Sequence, residues 1–183
     1  MNFERLKEMN QKLPTTNIKG KEYVEVNNRI LAFRELYPEG AIETEIIEMK
    51  DGICTIKATI KDGERIISTG MAQEKETSSF INKTSYVENC ETSAIGRALG
   101  ILGIGINNSI ASAEEVDNAI HNQEKIDKIH KEALESAIKN NGITDEEVEK
   151  VLSQFGFGST AEITNGKYTE IVNEFKKMMR KKE

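Results

Sequence analysis

The segment that decides the fold reads CTIKATIKDG and occupies residues 54–63. Apolar and polar residues alternate along it, which is the two-residue period of a strand with one buried face. The buried face should carry Cys54, Ile56, Ala58 and Ile60, and the solvent face Thr55, Lys57, Thr59 and Lys61. Asp-Gly pairs at 51–52 and 62–63 are turn signals. The sequence therefore predicts a three-stranded antiparallel meander within residues 41–71.

Helical patterns flank this meander. Apolar residues recur at steps of three and four between Lys21 and Tyr37, which predicts an amphipathic helix there. Residues 72–84 carry no period and predict a surface loop. Ser85 and Glu88 have capping-box spacing, so a long helix should run from about Tyr86 to Leu102. Its many small residues would let it lie close to the sheet or to a second copy of itself. We expect an α+β fold in which an antiparallel β-meander packs against this long helix.

The second half of the chain predicts a small helical domain. Residues 109–122 are rich in Ala, Glu, Asp and Asn and suggest a short helix leading into a linker, with a domain boundary near His121. The predicted domains are thus 1–120 and 121–183. Three helices are expected in the second domain, at residues 123–139, 144–154 and 168–179, and Thr144 with Glu147 has the spacing of a capping box at the start of the second. Its tail is basic through Lys176, Lys177, Arg180, Lys181 and Lys182.

Composition limits the classes of function. The 183 residues include 25 Lys and Arg against 31 Asp and Glu, a formal charge of −6, so nucleic-acid binding would need a local basic stripe. Cys54 and Cys90 have no CxxC partner and predict a reduced, cytoplasmic setting. No segment approaches the roughly 20 apolar residues of a membrane span, and the first twelve residues lack an export signal.

No catalytic, metal or cofactor site is evident. His121 and His130 lack companion ligands, and both cysteines fall on predicted core faces, where free cysteine behaves as a small hydrophobe. The glycines at 96, 100, 103 and 105 lie within and after a helix, so they favour close packing over a phosphate-binding loop. A nuclease would need paired carboxylates, and no such spacing appears. The sequence therefore predicts a binding protein that is not an enzyme and uses no cofactor.

A candidate DNA-binding surface consists of basic residues around the meander. Its members are Lys57, Lys61, Arg65, Lys75, Lys83 and Arg97. Together they could line a groove that follows a phosphate backbone, with the ring of Tyr86 or Phe80 for base stacking. Taken singly, each is typical of a solvated surface charge, so both interpretations stay open.

A resemblance adds to this interpretation. Residues 88–103 read ENCETSAIGRALGILG. This run resembles the signature helix of phage single-strand annealing proteins and related single-stranded DNA-binding proteins, a group that includes the Erf, Sak and Red-beta types and the eukaryotic annealing mediators. In that group a helix, a β-meander, a loop and a helix with the pattern A-x-K/G-R-A-L-x-x-x-G follow one another. Residues 23–105 are expected to reproduce this order.

The resemblance implies a β-β-β-α annealing core whose protomers form rings or filaments and hold single-stranded DNA in a positive groove. Arg97 matches the signature arginine that contacts the DNA backbone, whereas Gly96 replaces a position that is often lysine. The carboxy-terminal domain resembles accessory domains of phage recombination proteins. Its basic tail would contact DNA or a host single-stranded DNA-binding protein, or it is an ordinary solvated helix end.

Two functions compete at this point. The first is ATP-independent binding of single-stranded DNA and annealing of complementary strands in phage-type homologous recombination, in the cytoplasm of a bacterial host. The second is a protein-interaction or regulatory module on the same fold, such as an inhibitor of a host nuclease or defence system. Its working face would be acidic: Glu43, Glu45, Glu48, Glu114, Glu115 and Asp117.

Overall fold

The structure is a computed structural model, and it describes residues 3–78, 82–106 and 109–180. The chain divides into two compact units. The first comprises Met1–Glu76 with Thr84–Ala119, and the second comprises Thr77–Lys83 with Ile120–Glu183. Each unit has a hydrophobic core of its own.

The first unit begins with a helix and a small hairpin. Helix α1 is Phe3–Lys12, strands β1 (Thr16–Ile18) and β2 (Lys21–Tyr23) pair antiparallel, and helix α2 is Val26–Leu36. The prediction that α2 starts at Lys21 was therefore wrong. Lys19 and Gly20 both have positive φ and form the tight turn that sends residues 21–23 back along β1 instead of into a helix.

The predicted meander is present. Strands β3 (Gly40–Lys50), β4 (Ile53–Asp62) and β5 (Arg65–Lys75) form an antiparallel sheet in the order β3-β4-β5. All four residues predicted for the buried face of β4 are at most 3% exposed. Strand β5 runs four residues further than Met71, because residues 72–75 keep pairing with β4 as far as Ile53. The predicted loop is correspondingly shorter.

Helix α3, Asn82–Ile101, covers one face of this sheet. Non-helical backbone at Ser85 breaks its first turn, close to the predicted start. Gly70 of β5 lets the helix come very near, since a Cβ there would lie 2.4 Å from the backbone nitrogen of Ala98. The hydroxyl of Ser68 donates to the carbonyl of Ala98 at 2.7 Å. A three-stranded antiparallel sheet packed on a long helix, within a mixed α+β fold, is therefore confirmed.

The remaining elements are helical. Helix α4 is Ala113–Gln123. Helices α5 (Lys128–Asn140), α6 (Asp145–Gln154) and α7 (Asn165–Met179), with a 3-10 turn at Thr160–Glu162, pack around a core that includes Leu152 and Phe175. The capping box of Thr144 and Glu147 at the start of α6 is formed. Among the described helices, none has the length and apolar character needed to cross a bilayer.

Candidate nucleic-acid interface

The face of the sheet opposite α3 carries Lys57 and Lys61. The register places Lys57 across from Glu45 on β3, and the ammonium nitrogen of Lys61 lies 2.6 Å from a carboxylate oxygen of Glu43. Lys61 is thus already neutralised. Lys57 is half-buried and makes no ion pair in the part of the chain that the structure describes. It is the unneutralised cation at the centre of this face.

On this face Lys57 lies between Glu45 on β3 and the exposed Met71 on β5, and uncharged polar side chains lie beside it along the strands. Thr55 and Thr59 lie on the same face of β4, and Thr69 and Gln73 lie across from them on β5. The amide of Gln73 donates to the Thr55 hydroxyl at 3.0 Å. Strands β3 to β5 contain no aromatic residue, so the sheet itself offers no ring on which a base could stack. Contacts to a nucleic acid on this face would be to phosphates and hydroxyl groups.

The other predicted DNA contacts do not gather around Lys57. Arg65 and Lys75 stand at opposite ends of β5, roughly 33 Å apart for a strand of that length. Lys83 is exposed near the start of α3 and belongs to the second compact unit. The ring of Tyr86 is partly buried and packs against the hydrophobic core of the first unit. Phe80 lies outside the described residues.

Arg97 is held by a carboxylate on another helix. Its Nη1 lies 3.0 Å from Oε1 of Glu115 on α4, and its side chain is 45% exposed. The second oxygen of Glu115 accepts a hydrogen bond from the backbone nitrogen of Ser112 at 3.0 Å. The Ser112 hydroxyl in turn accepts from the Glu115 backbone at 3.3 Å, which caps α4. Glu115 therefore neutralises Arg97 while it fixes the start of α4.

Arg29, which was not among the predicted site residues, is fully buried in the first unit. Its guanidinium donates to four backbone carbonyls, at 2.7 to 3.2 Å: Gly96, Gly105, Ile110 and Ala111. Burial lowers the pKa of Arg29, and the nearby carboxylates of Glu115 and Glu114 act in the opposite direction. One signal was present in the sequence, because Arg29 lies on the apolar stripe of α2 between Val26 and Phe33.

The glycines around α3 make room for that arginine. A Cβ on Gly100 would lie 2.7 Å from Nη1 of Arg29, and one on Gly105 would lie 3.1 Å from its Nε. A Cβ on Gly96 would lie 2.8 Å from a methyl carbon of Val26 on α2. These three glycines therefore allow close packing, as expected. The element that packs against them is α2, or the segment just before it, and not the sheet.

Arg29 and Glu114 tie the start of α4 to α2. Arg29 holds the carbonyls of residues 110 and 111, just before α4, and Oε1 of Glu114 accepts from the backbone nitrogen of Val26 at 2.9 Å. Glu115 is the next residue on α4, so this framework determines where its carboxylate meets Arg97. The electrostatics around Arg97 thus depend on contacts between residues more than 60 positions apart.

The first unit is acidic as a whole. It contains 13 Lys and Arg against 19 Asp and Glu, a formal charge of −6. The second unit has 12 of each. Any approach of a polyanion to the sheet must therefore overcome a repulsive long-range field.

Comparison with known proteins gives one similarity. Residues 30–102 match the model of a family described as Slr1353 N-terminal dsRNA-binding domain-like. The matched region contains part of α2, the whole β3–β5 sheet and α3, and it is less than half of the chain. No curated protein and no solved structure matches the chain.

This match corrects the resemblance drawn from residues 88–103. The family found over the same helix is double-stranded RNA-binding-like and is not an annealing family of the Erf, Sak or Red-beta type. The short pattern around Arg97 was misleading because the small residues also serve packing against α2, and the arginine pairs with Glu115 on α4. What the match supports is, at most, nucleic-acid binding.

Proposed function

We propose that the first compact unit binds nucleic acid through the sugar-phosphate backbone. The observation that carries the proposal is the match of residues 30–102 to a dsRNA-binding-like family. The exposed face of the sheet agrees with it in chemistry. Lys57 can contact a phosphate, and the threonine hydroxyls and the Gln73 amide can bond phosphate or ribose oxygens. Because the strands have no aromatic side chain, base stacking contributes nothing there.

Binding by one chain should be weak and sensitive to salt. Lys61 is paired with Glu43, and Arg97 is paired with Glu115. Each cation must break its ion pair before it can contact a phosphate, so each such contact adds little net binding free energy. Counterion release then supplies most of the affinity, and it decreases as salt rises. Several copies on one strand would raise the overall affinity through effective concentration. Assembly into a homo-oligomer is therefore part of the proposal.

Duplex RNA is the first substrate to test, since recognition of its shape, phosphates and 2′-hydroxyls needs no base stacking. ATP-independent annealing of complementary DNA strands is a finer form of the same proposal. A face that contacts only the backbone leaves bases free to pair, which is what annealing requires. We also propose that the basic carboxy-terminal residues contact a host single-stranded DNA-binding protein. Lys177 would have to leave its ion pair with Glu174, in which the two charged atoms lie 2.6 Å apart, to take part in that contact.

The test is fluorescence anisotropy of the full chain with labelled duplex RNA, single-stranded RNA, single-stranded DNA and duplex DNA of equal length. Titrations at low and moderate salt should show binding that weakens as salt rises. Lys57→Gln should lower affinity for every sequence and reduce the salt slope by about 1. Lys128→Gln on α5, which removes an exposed lysine of the second unit, is the matched control and should change neither.

The ligand that binds most tightly distinguishes duplex-RNA binding from DNA-strand annealing. Preference for duplex RNA supports binding of an RNA duplex through its backbone. Preference for single-stranded DNA, with pairing of complementary strands in the absence of ATP, supports annealing. Folded protein that binds none of the four ligands at low salt would overturn the proposed function.

A further inference from the structure

Strand β3 lies at the edge of the sheet. It pairs with β4, and no other strand of the described residues pairs with its second edge. Pairing with β4 is regular from Gly40 to Ile46 and is interrupted by a bulge before Glu48. At the other end, the carbonyl of Gly40 accepts a hydrogen bond from Nη1 of Arg34 at 2.7 Å. The free edge is therefore regular over about six residues.

Two rows of side chains follow this edge. Glu43 and Glu45 face the same side of the sheet as Lys57, and Glu48 continues their row after the bulge. Ile42, Thr44, Ile46 and Met49 face the side covered by the helices. The helices do not cover that row fully: Ile46 is 52% and Met49 57% exposed, and Ile47 at the bulge is 49% exposed. Charged side chains protect an edge strand from pairing with another chain. Exposed aliphatic side chains beside the edge favour such pairing.

Of the acidic residues predicted as a working face, those on β3 and the exposed Asp117 on α4 remain, whereas two others are engaged. Glu114 and Glu115 are engaged by the backbone of Val26 and by Arg97, as described above. In contrast, Glu45 and Glu48 form neither an ion pair nor a side-chain hydrogen bond within the described ranges. These two carboxylates border an unpaired backbone edge and a row of exposed aliphatic groups.

The occupied edge of β3 shows what chemistry the strand accepts. Strand β4 presents lysines to the glutamate row: Lys57 lies across from Glu45, and Lys61 pairs with Glu43 at 2.6 Å. It presents aliphatic groups to the other row, with Ile56 across from Ile46 and Ile60 across from Ile42. A strand that alternates basic and aliphatic residues therefore complements β3 on both faces.

We propose that the free edge of β3 binds an extended segment of a partner protein that alternates basic and aliphatic residues, which adds to the sheet as a fourth strand. Backbone hydrogen bonds would supply affinity, and the two rows would select the sequence. A second β3 is a poor occupant, because it would bring two glutamate rows together. Nucleic acid has no peptide backbone with which to continue the hydrogen-bond ladder of the sheet. The inference stands independently of the proposed nucleic-acid binding.

A peptide with the sequence TIKATIK, which copies residues 55–61, is the probe. Fluorescence anisotropy with the full chain should show binding of TIKATIK and much weaker binding of TIEATIE. In the double variant Glu45→Lys/Glu48→Lys the preference should reverse, with a change of about tenfold for each peptide. The matched control is Glu64→Lys/Glu149→Lys, which changes the net charge equally at exposed positions in the β4–β5 turn and on α6 and should keep the original preference.

Two further measurements separate strand addition from general attraction. Methylation of alternate backbone nitrogens of TIKATIK should abolish binding, because the charges remain but the hydrogen bonds to the edge are lost. Equal binding of the methylated and unmethylated peptides would overturn the inference. So would a failure of the charge-reversed variant to favour TIEATIE while its circular dichroism matches the parent. Sedimentation that shows a dimer dependent on Glu45 and Glu48 would assign the edge to a second copy and also overturn it.

Discussion

Nη1 of Arg97 on α3 lies 3.0 Å from Oε1 of Glu115 on α4. Arg97 is the only basic residue in the run 88–103, so the charge that suggested a DNA contact is balanced within the protein. Glu115 is only 16% exposed and also caps α4, whereas the arginine is 45% exposed. A phosphate could therefore reach Arg97 from solvent, but it would compete with a carboxylate that stays in place.

Glu115→Gln should raise the affinity for nucleic acid. Glutamine keeps an oxygen that can accept the hydrogen bond from Ser112 but removes the charge that competes with phosphate for Arg97. An exposed ion pair contributes about 0.5–1 kcal/mol, so affinity should rise about two- to fivefold in the anisotropy assay. The control is Glu91→Gln, which removes one negative charge from α3 itself. The Glu91 carboxylate accepts a hydrogen bond from the Thr44 hydroxyl and does not contact Arg97. Equal affinity of Glu115→Gln and Glu91→Gln would show that Arg97 does not contact the ligand.

Arg29→Met should strongly destabilise the first unit. It leaves two buried and two part-buried carbonyls without their donor, and the free energy of unfolding should fall by about 3 kcal/mol or more. Hydrogen exchange followed by mass spectrometry should show faster exchange in α3 and α4, with α5 to α7 unchanged. Arg34→Met, on the same helix, removes a single part-buried hydrogen bond to the Gly40 carbonyl and should cost about 1 kcal/mol. Similar losses for both variants would contradict this role of Arg29.

Thr144→Ala should destabilise the second unit by about 1 kcal/mol. The Thr144 hydroxyl accepts a hydrogen bond from the Glu147 backbone at 3.3 Å, and alanine cannot replace it. Thr164 is also an N-cap threonine, at α7, but its side chain makes no capping hydrogen bond. Thr164→Ala should therefore change stability much less. Urea unfolding followed by circular dichroism measures both, and equal effects would mean that the capping bond does not stabilise α6.

Alkaline pH should destabilise the fold through Cys90. Burial, followed by the neighbouring Cys54 thiol, raises the pKa of Cys90 to about 11 from an ordinary value of 9.0. The folded chain therefore keeps the thiol proton more tightly than the unfolded chain does. This contribution to stability is complete below pH 9 and is lost as the pH rises towards 11.

Urea unfolding of the parent and of Cys90→Ala between pH 8 and pH 11 tests this linkage. All other ionisable groups are common to the two proteins, so the difference between their pH profiles isolates Cys90. The parent should lose more stability than the variant over this range. Parallel pH profiles would contradict the raised pKa of Cys90.

Local patterns predicted much of the fold. The alternation at residues 54–60 identified the buried face of β4 because side chains of a strand point to opposite sides in turn. The capping box at Thr144 was visible because its two members are three residues apart. The hairpin of β1 and β2 was missed, since its strands are only three residues long and carry no alternation. The end of β5 was missed because Gln73 and Glu74 are polar, and pairing with β4 keeps them in the sheet.

The candidate sites depended far more on tertiary structure. Lysines and arginines were visible in the sequence, but the carboxylates that neutralise Lys61 and Arg97 are 18 residues away in each case. The four carbonyls around Arg29 are 67 to 82 residues from it. Backbone carbonyls leave no mark on a sequence pattern, so a buried arginine that binds them cannot be told from a surface one.

The sequence by itself determined the β-meander, the long helix that covers it and the acidic balance of the chain, because periodicity, turn residues and charge are local or additive properties. Only the tertiary structure decided which cations are free and which edge is open. Those properties depend on distances between residues far apart in the chain, as between Arg97 and Glu115, or on a strand such as β3 lying at the end of the sheet.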